Sequence, residues 1–371
     1  MKIRPHVLGI ILSLGVLFTT SFSQTATPTP KPLSSEGEEI KIDSRLVVIP
    51  VSVTDPAGNP VTNLGKRDFN VVEEGRRQEV DNVGNADTVP LEIALLFDVS
   101  ASTDSMFKFQ QETAAKFLQD VLKPTDRATI FTIGAEPTLV AARDTADKAI
   151  VSVRSIEPTK QFTAFYDSVA AAAQYLARNA PSGTRRVIVV ISDGEDTNSS
   201  RIAKAIQDGY KKAGSKINEL DNKALYQLTV NNRNEASLKE RVRIMRSLQD
   251  ADTVFYSINP AGSSYQLNKM SLFGQENMEK FAGETGGTAF LPKFLPIDTK
   301  DTLMNSGNMK RNAATLETIF RQLANELRAQ YLVQYYSDAE YPGGRFVKLN
   351  VTLANPGGNK LRARQGYYVK D

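Results

Sequence analysis

Apolar and polar residues alternate with period two from Ile40 onward, through IKIDSRLVVIPVSVTD, the turn PAGNP, and DFNVVEEGRRQEV with Glu74-Gly75 at a second turn. That spacing predicts about three β-strands, ending near Val83. From Leu91 to near Arg328 the pattern changes. Strand-like runs (LEIALLF, ATIFTIG, TLVAA, RRVIVVIS, DTVFYSI, GTAFL) alternate with helical stretches such as MFKFQQETAAKFLQDVL, FYDSVAAAAQYLARN, SLKERVRIMRSLQDA, ENMEKFAGET and LETIFRQLANELRAQ. Such alternation implies an α/β fold with a doubly wound, mostly parallel sheet and helices on both faces. After Gln330 the β pattern returns in YLVQYYS, RFVKLNVTLAN and KLRARQGYYVK, separated by EYPGG and NPGGN. The few strands at either end bury more surface as one β-sandwich than as two separate sheets. The expected architecture is therefore an α/β domain, residues 89–328, inserted into a β-sandwich built from residues 40–88 and 329–371.

Two segments fit poorly. Residues 206–235 and 294–313 are longer than ordinary connections and read as surface insertions. At the N-terminus, basic residues precede an apolar run from Val7 to Phe18 and then Ser21-Phe22-Ser23, which reads as a secretory signal over residues 1–23. An uncleaved anchor is the alternative, but the run is shorter than the roughly 20 residues of a spanning helix. Residues 24–39 are rich in Thr, Pro and Ser and read as a spacer. The mature chain is thus expected to be secreted, periplasmic or at the cell surface, without a membrane span.

Composition narrows the chemistry. Net charge is +3, falling to +1 once the two charges of Lys2 and Arg4 leave with the leader, so nucleic acid is not an expected partner. There is no Cys, which removes thiol catalysis, disulfides and Cys-ligated zinc. The single His is His6 in the leader, so the mature chain has no imidazole for a Ser-His-Asp triad. Remaining chemistry rests on oxygen atoms, Lys and Arg.

Oxygen atoms gather at two strand ends. Asp98, Ser100 and Ser102 follow LEIALLF in FDVSAST, and Asp193 follows RRVIVVIS in ISDGEDT. In an open α/β sheet, ligands sit at the carboxyl ends of strands. If the two strands are neighbours, their carboxylates converge and repel unless a cation joins them. Hydroxyl and carboxylate donors without nitrogen or sulfur suit a hard ion, Mg²⁺ first and Mn²⁺ or Ca²⁺ behind it.

FDVSAST, then TKQFTAFYDS, then ISDGEDT together resemble the metal-ion-dependent adhesion site of von Willebrand factor type A domains, over about Leu91 to Arg328. The flanks resemble those of bacterial secreted proteins carrying this domain. The resemblance implies that Ser100 and Ser102 bind the metal directly, with Asp98 acting directly or through water. Thr163 matches the threonine that joins in the ligand-ready arrangement, and Asp193 the last acidic position, commonly water-bridged. It further implies an open coordination position, filled by an Asp or Glu carboxylate of a partner protein, and a binding module with no catalytic activity.

Other readings stand beside these. Asp98, Ser100 and Ser102 are alternatively caps for the helix expected near Met106. A metal-dependent phosphoesterase would use Asp98 as nucleophile, yet Ser100 stands where such enzymes place a second acid, and no His serves as general base. A scaffold with a degenerate metal site is the third reading. Glu195 and Asp196 read as a solvated acidic loop, and Gly283, Gly286 and Gly287 as a helix end. Lys239, Arg241, Arg243 and Arg246 read as a solvated helix face, and Tyr331, Tyr335 and Tyr336 as strand packing.

Overall fold

The computed structural model describes residues 45–100, 107–159, 162–260, 269–297 and 299–369. The expected leader, the spacer and Ser102 lie outside the described residues. Four strands precede the α/β region: β1 (Arg45–Thr54), β2 (Phe69–Glu73), β3 (Arg76–Gln78) and β4 (Asn82–Asn85). The middle runs β5 (Leu91–Asp98), α1 (Phe107–Val121), β6 (Arg127–Ile133), β7 (Pro137–Asp144), α2 (Ala146–Arg154), α3 (Phe165–Asn179), β8 (Arg185–Ile191), α4 (Ser200–Ala213), α5 (Asn222–Asp250), β9 (Thr253–Ile258), α6 (Lys269–Thr285), β10 (Ala289–Phe290) and α7 (Thr302–Arg328). Four strands follow: β11 (Tyr331–Ser337), β12 (Phe346–Leu353), β13 (Lys360–Ala363) and β14 (Gly366–Tyr368).

The middle strands form one six-stranded sheet in the order β10-β9-β8-β5-β6-β7. Every neighbouring pair is parallel except β6 with β7, so TLVAA folds back as an antiparallel edge hairpin and not through a helical crossover. All of β5 is buried. Leu91, Ile93, Leu95 and Phe97 pack with residues of α1, α2 and α7. Ala94 and Leu96 pack on the other face with residues of α3, α5 and α6. A strand covered on both faces has no polar side to spare, which is why LEIALLF reads as a continuous apolar run.

Both chain ends enter both remaining sheets, ordered β13-β1-β11-β4 and β14-β12-β2-β3. Val47, Ile49, Val51 and Val53 of β1 meet Phe69 and Val71 of β2 and Val347, Leu349 and Val351 of β12 in a shared core. Period-two alternation along these strands faces that core on one side only. Glu74 at φ 46° and Gly75 at φ 82° give β2 and β3 a two-residue turn with both central residues left-handed.

Two expectations change. Residues 206–235 are helical for most of their length, forming the end of α4 and the first half of α5. Their polar composition hid this because α5 carries few buried apolar residues, among them Val230, Ile244 and Leu248. A Cβ at Gly209 would stand 2.1 Å from Asn232 Nδ2, so the glycine leaves room on α4 for the Asn232 carboxamide of α5. The described residues of 294–313 likewise divide into a strap without regular structure and the first turns of α7. Asn312 bonds both the N–H and the C=O of Leu295 at 2.8 Å, Asn308 Nδ2 donates to Pro296 O at 2.7 Å, and Asn305 Nδ2 donates to Thr299 O at 2.8 Å. Carboxamides on one helix side thus supply the strap with the partners a neighbouring strand would otherwise give. The GETGG stretch does end a helix, with the Gly287 N–H on Ala282 O at 2.9 Å and Gly286 at φ 89°.

Candidate functional site

β5 and β8 are neighbours, with Phe97 opposite Ile191. The chain passes from β5 to β6 on one side and from β8 to β9 on the other, so their carboxyl ends flank the topological switch point. Asp98, the last residue of β5, is fully buried. Its Oδ2 accepts from Ser192 Oγ at 2.6 Å and its Oδ1 from the Ser100 N–H at 2.9 Å. Ser192 Oγ also accepts from the Gly194 N–H at 3.0 Å. Asp193 is buried, and its Oδ1 accepts from the Glu195 N–H at 3.0 Å.

Thr163 joins the same edge through its backbone. Its N–H donates to Thr197 Oγ1 at 2.9 Å, and its carbonyl accepts from the N–H groups of Thr197 and Asn198 at 2.9 and 3.0 Å. The Thr159 N–H donates to Val99 O at 2.9 Å, which ties that loop to the one after β5. Asp98, Ser100, Thr163 and Asp193 therefore lie in three loops that hydrogen-bond one another, while Ser102 falls outside the described residues. Phe162 stands 68% exposed beside Thr163.

Burial raises the Asp98 pKa above the usual carboxylate range, and the charge of Glu195 raises it further, against the bonds from Ser192 and Ser100. Asp196 corrects the expectation of a solvated acidic loop, being only 6% exposed. Its carboxyl accepts from the Tyr166 N–H at 2.9 Å, the Ser199 N–H at 3.0 Å and Ser199 Oγ at 2.5 Å. Ser199 Oγ accepts from the Asp167 N–H at 3.1 Å, and Asp167 Oδ2 from the Ser200 N–H at 2.8 Å. The first turns of α3 and α4 thus satisfy their free N–H groups reciprocally. Burial pushes the Asp196 pKa up to about 6. Glu195 is also held, accepting from Ser271 Oγ of α6. A Cβ at Gly194 would lie 2.7 Å from Gly274 O, so the loop of Asp193 meets α6 through two glycines.

Ser192, Thr197 and Ser199 escaped the sequence reading. The signal was present in SDGEDTNSS, where hydroxyls fill nearly every place not taken by an acid or glycine. Among the described residues no group of three or more His, Cys, Asp or Glu side chains is arranged to hold an ion. A cation at this edge would therefore draw on hydroxyl oxygens as well as carboxylates, and Asp98, Ser100, Thr163 and Asp193 are the residues that fit a hard one.

A family model described as von Willebrand factor type A domain matches residues 93–195, which include the ends of both β5 and β8. The chain carries a von Willebrand factor type A domain. No curated protein matches the chain. Solved structures similar to it include an aerotolerance-related membrane protein from Bacteroides fragilis NCTC 9343, at 15% identity over 63% of this chain and 98% of that one, with a TM-score of 0.34. The conserved hypothetical protein BatB from Bacteroides thetaiotaomicron matches at 11% identity over 62% of this chain and 99% of that one, with a TM-score of 0.35. Proximal thread matrix protein 1 of the mussel byssus, solved with a zinc-occupied MIDAS motif, matches at 11% identity over 69% of this chain and 50% of that one, with a TM-score of 0.40. Among the described residues no helix is long and apolar enough to cross a membrane.

Proposed function

We propose that the A-type domain is a non-enzymatic module which holds a divalent cation at Asp98, Ser100, Ser102, Thr163 and Asp193. Through it the module captures an Asp or Glu carboxylate of a partner protein. Mg²⁺ is the first choice of ion, with Mn²⁺ or Ca²⁺ behind it. The observation that carries this reading is Asp98, a carboxyl fully buried at the switch point and raised in pKa by its burial. A nearby cation is the partner that makes such a carboxylate favourable to ionise.

The surrounding residues fit that task. Asp98 fixes the Ser192 hydroxyl and the Ser100 backbone, and the bonds to Thr197 and Asn198 fix Thr163 without using its Oγ1 in either of them. A cation held mainly by hydroxyls keeps affinity for an outside anion, whereas a cage of carboxylates would satisfy it internally. The buried Asp98, with both oxygens accepting hydrogen bonds, is poorly placed to attack a substrate, so the phosphoesterase reading loses its nucleophile. With the leader expected over residues 1–23, we assign the protein to the exterior or periplasm. We take residues 89–328 as the binding head and residues 40–88 with 329–371 as the sandwich that carries it.

Calorimetric titration of the leaderless, chelator-stripped protein with Mg²⁺, Mn²⁺ and Ca²⁺ tests the reading, alongside Asp98→Ala. Saturable binding near one equivalent that the variant loses is the expected result. Absence of binding by all three ions, or binding untouched by the substitution, overturns it.

A further inference from the structure

The sandwich carries a second feature, independent of the metal reading. β3 ends its sheet, pairing with β2 on one side and with no strand on the other among the described residues. The two-residue turn makes Glu73 and Arg76 the hydrogen-bonded pair next to it, so Val72 and Arg77 form the following non-bonded pair. The N–H and C=O of Arg77 therefore point away from β2, toward the free edge. A groove of 720 Å³ borders this strand, lined in part by Lys66, Arg67 and Arg77. Those three side chains and Arg76 are exposed. Among the described residues none of the four has an ion pair: the carboxylate of Glu74 goes to Arg345, and that of Asp68 accepts from the Gly65 N–H. Of the residues lining the groove only Glu79 is acidic.

We propose that this edge and its basic groove are a docking surface for an acidic, extended segment of a partner protein, which adds to the sheet as a strand beside β3. Basic side chains on an edge strand repel a second copy of the same edge, which guards against self-association. The same charges attract a strand that alternates acidic residues, so the guard against one partner selects another. A polypeptide fits better than an acidic polysaccharide because the outward Arg77 backbone offers a donor and an acceptor in strand register.

The probe is a blocked, fluorescently labelled heptapeptide alternating Glu and Val, titrated into the leaderless chain by anisotropy at low ionic strength, in chelator. Saturable binding is expected, weakened at least tenfold by Arg76→Glu/Arg77→Glu and at least tenfold by N-methylation of alternate peptide bonds in the probe. Thermal melts of the double variant that match the parent protein separate lost docking from lost folding. Three results overturn the proposal: no saturable binding, equal binding of the N-methylated probe, or tighter binding of a sulfated polysaccharide than of the peptide. Because chelator is present throughout, failure here leaves the metal reading standing, and failure of the metal titration leaves this one standing.

Discussion

Two fully buried carboxyl groups, Glu73 in the sandwich and Asp98 in the A-type domain, are handled in opposite ways. Glu73 accepts from Tyr335 OH at 2.9 Å, Tyr367 OH at 2.6 Å and Ser337 Oγ at 2.7 Å, all donated from strands of the same core. Its partners adjust to it: the Tyr335 phenol is pushed up, and Tyr367 to about 12, burial acting first and Glu73 next. The partners of Asp98 include the Ser192 hydroxyl and the Ser100 backbone N–H, both in loops at a sheet edge, and burial dominates its shift. A carboxylate ringed by phenols inside packed strands serves the fold. On the function proposed above, one set among loop hydroxyls at a switch point serves a cation that arrives from outside.

Glu73→Ala breaks the comparison most severely on the structural side. It leaves two phenols and a hydroxyl without their acceptor inside a closed core, and such losses cost about 3–5 kcal/mol. Chemical denaturation should show that drop while metal affinity, measured below the new midpoint, stays within about twofold of the parent. A smaller drop would mean that the sandwich does not depend on this network.

Next in size is a pH effect. A carboxyl with a pKa of about 6 in the fold, against about 3.9 for an Asp in an unfolded chain, binds its proton more tightly folded than unfolded. Stability of the metal-free protein therefore falls as pH rises through that window, by on the order of 3 kcal/mol from Asp196 alone. The raised Asp98 pKa adds in the same direction. Asp196→Asn, whose Oδ1 can still accept from the Tyr166 N–H, should flatten the profile between pH 4 and 7 in chelator. An unchanged profile would remove Asp196 as its source.

The strands and their two-faced burial were legible because alternation and apolar runs report directly on which sides of a strand are covered. The site was legible in part. Asp98, Ser100 and Asp193 stand out as polar residues at the ends of apolar runs and Thr163 only through the family resemblance, but Ser192 does not stand out, because the last residue of RRVIVVIS looks like an ordinary end of strand. Asp196 escapes for the opposite reason: acids clustered as in ISDGEDT read as a solvated loop, and the N–H groups at the starts of α3 and α4 close on its carboxyl instead. Polar helices hid as well, since residues 206–235 carry few buried apolar side chains and α4 meets α5 in part through Gly209 and Asn232, a contact that no periodicity reports. The basic face expected on α5 was half right. Arg243 pairs with Glu240 of the same helix at 2.6 Å, while Arg246 lies over the Tyr368 ring at 4.9 Å, a contact set by tertiary packing.

Metal addition comes next: a ligand at a hundredfold excess over its Kd stabilises by about 2.7 kcal/mol. That shift should appear in the parent and in Asp196→Asn, and be absent in Asp98→Asn, which keeps the side-chain volume while removing the charge. Metal stabilisation should also grow with pH as Asp98 ionises, because a bound cation competes with its proton.

Thr163→Ala should move stability least and so divide the two roles most finely. The loop is held by the Thr163 N–H and C=O, which alanine retains, so in chelator the variant should melt within about 1 kcal/mol of the parent. If Oγ1 serves the cation, calorimetry should still show saturable but weaker metal binding, short of the loss caused by Asp98→Ala. Capture of an acidic partner, which needs the cation poised with its last position open, should weaken more than metal binding does. A variant that melts early yet binds metal normally would make Thr163 part of the scaffold, and the site would then be built from the ends of β5 and β8 alone.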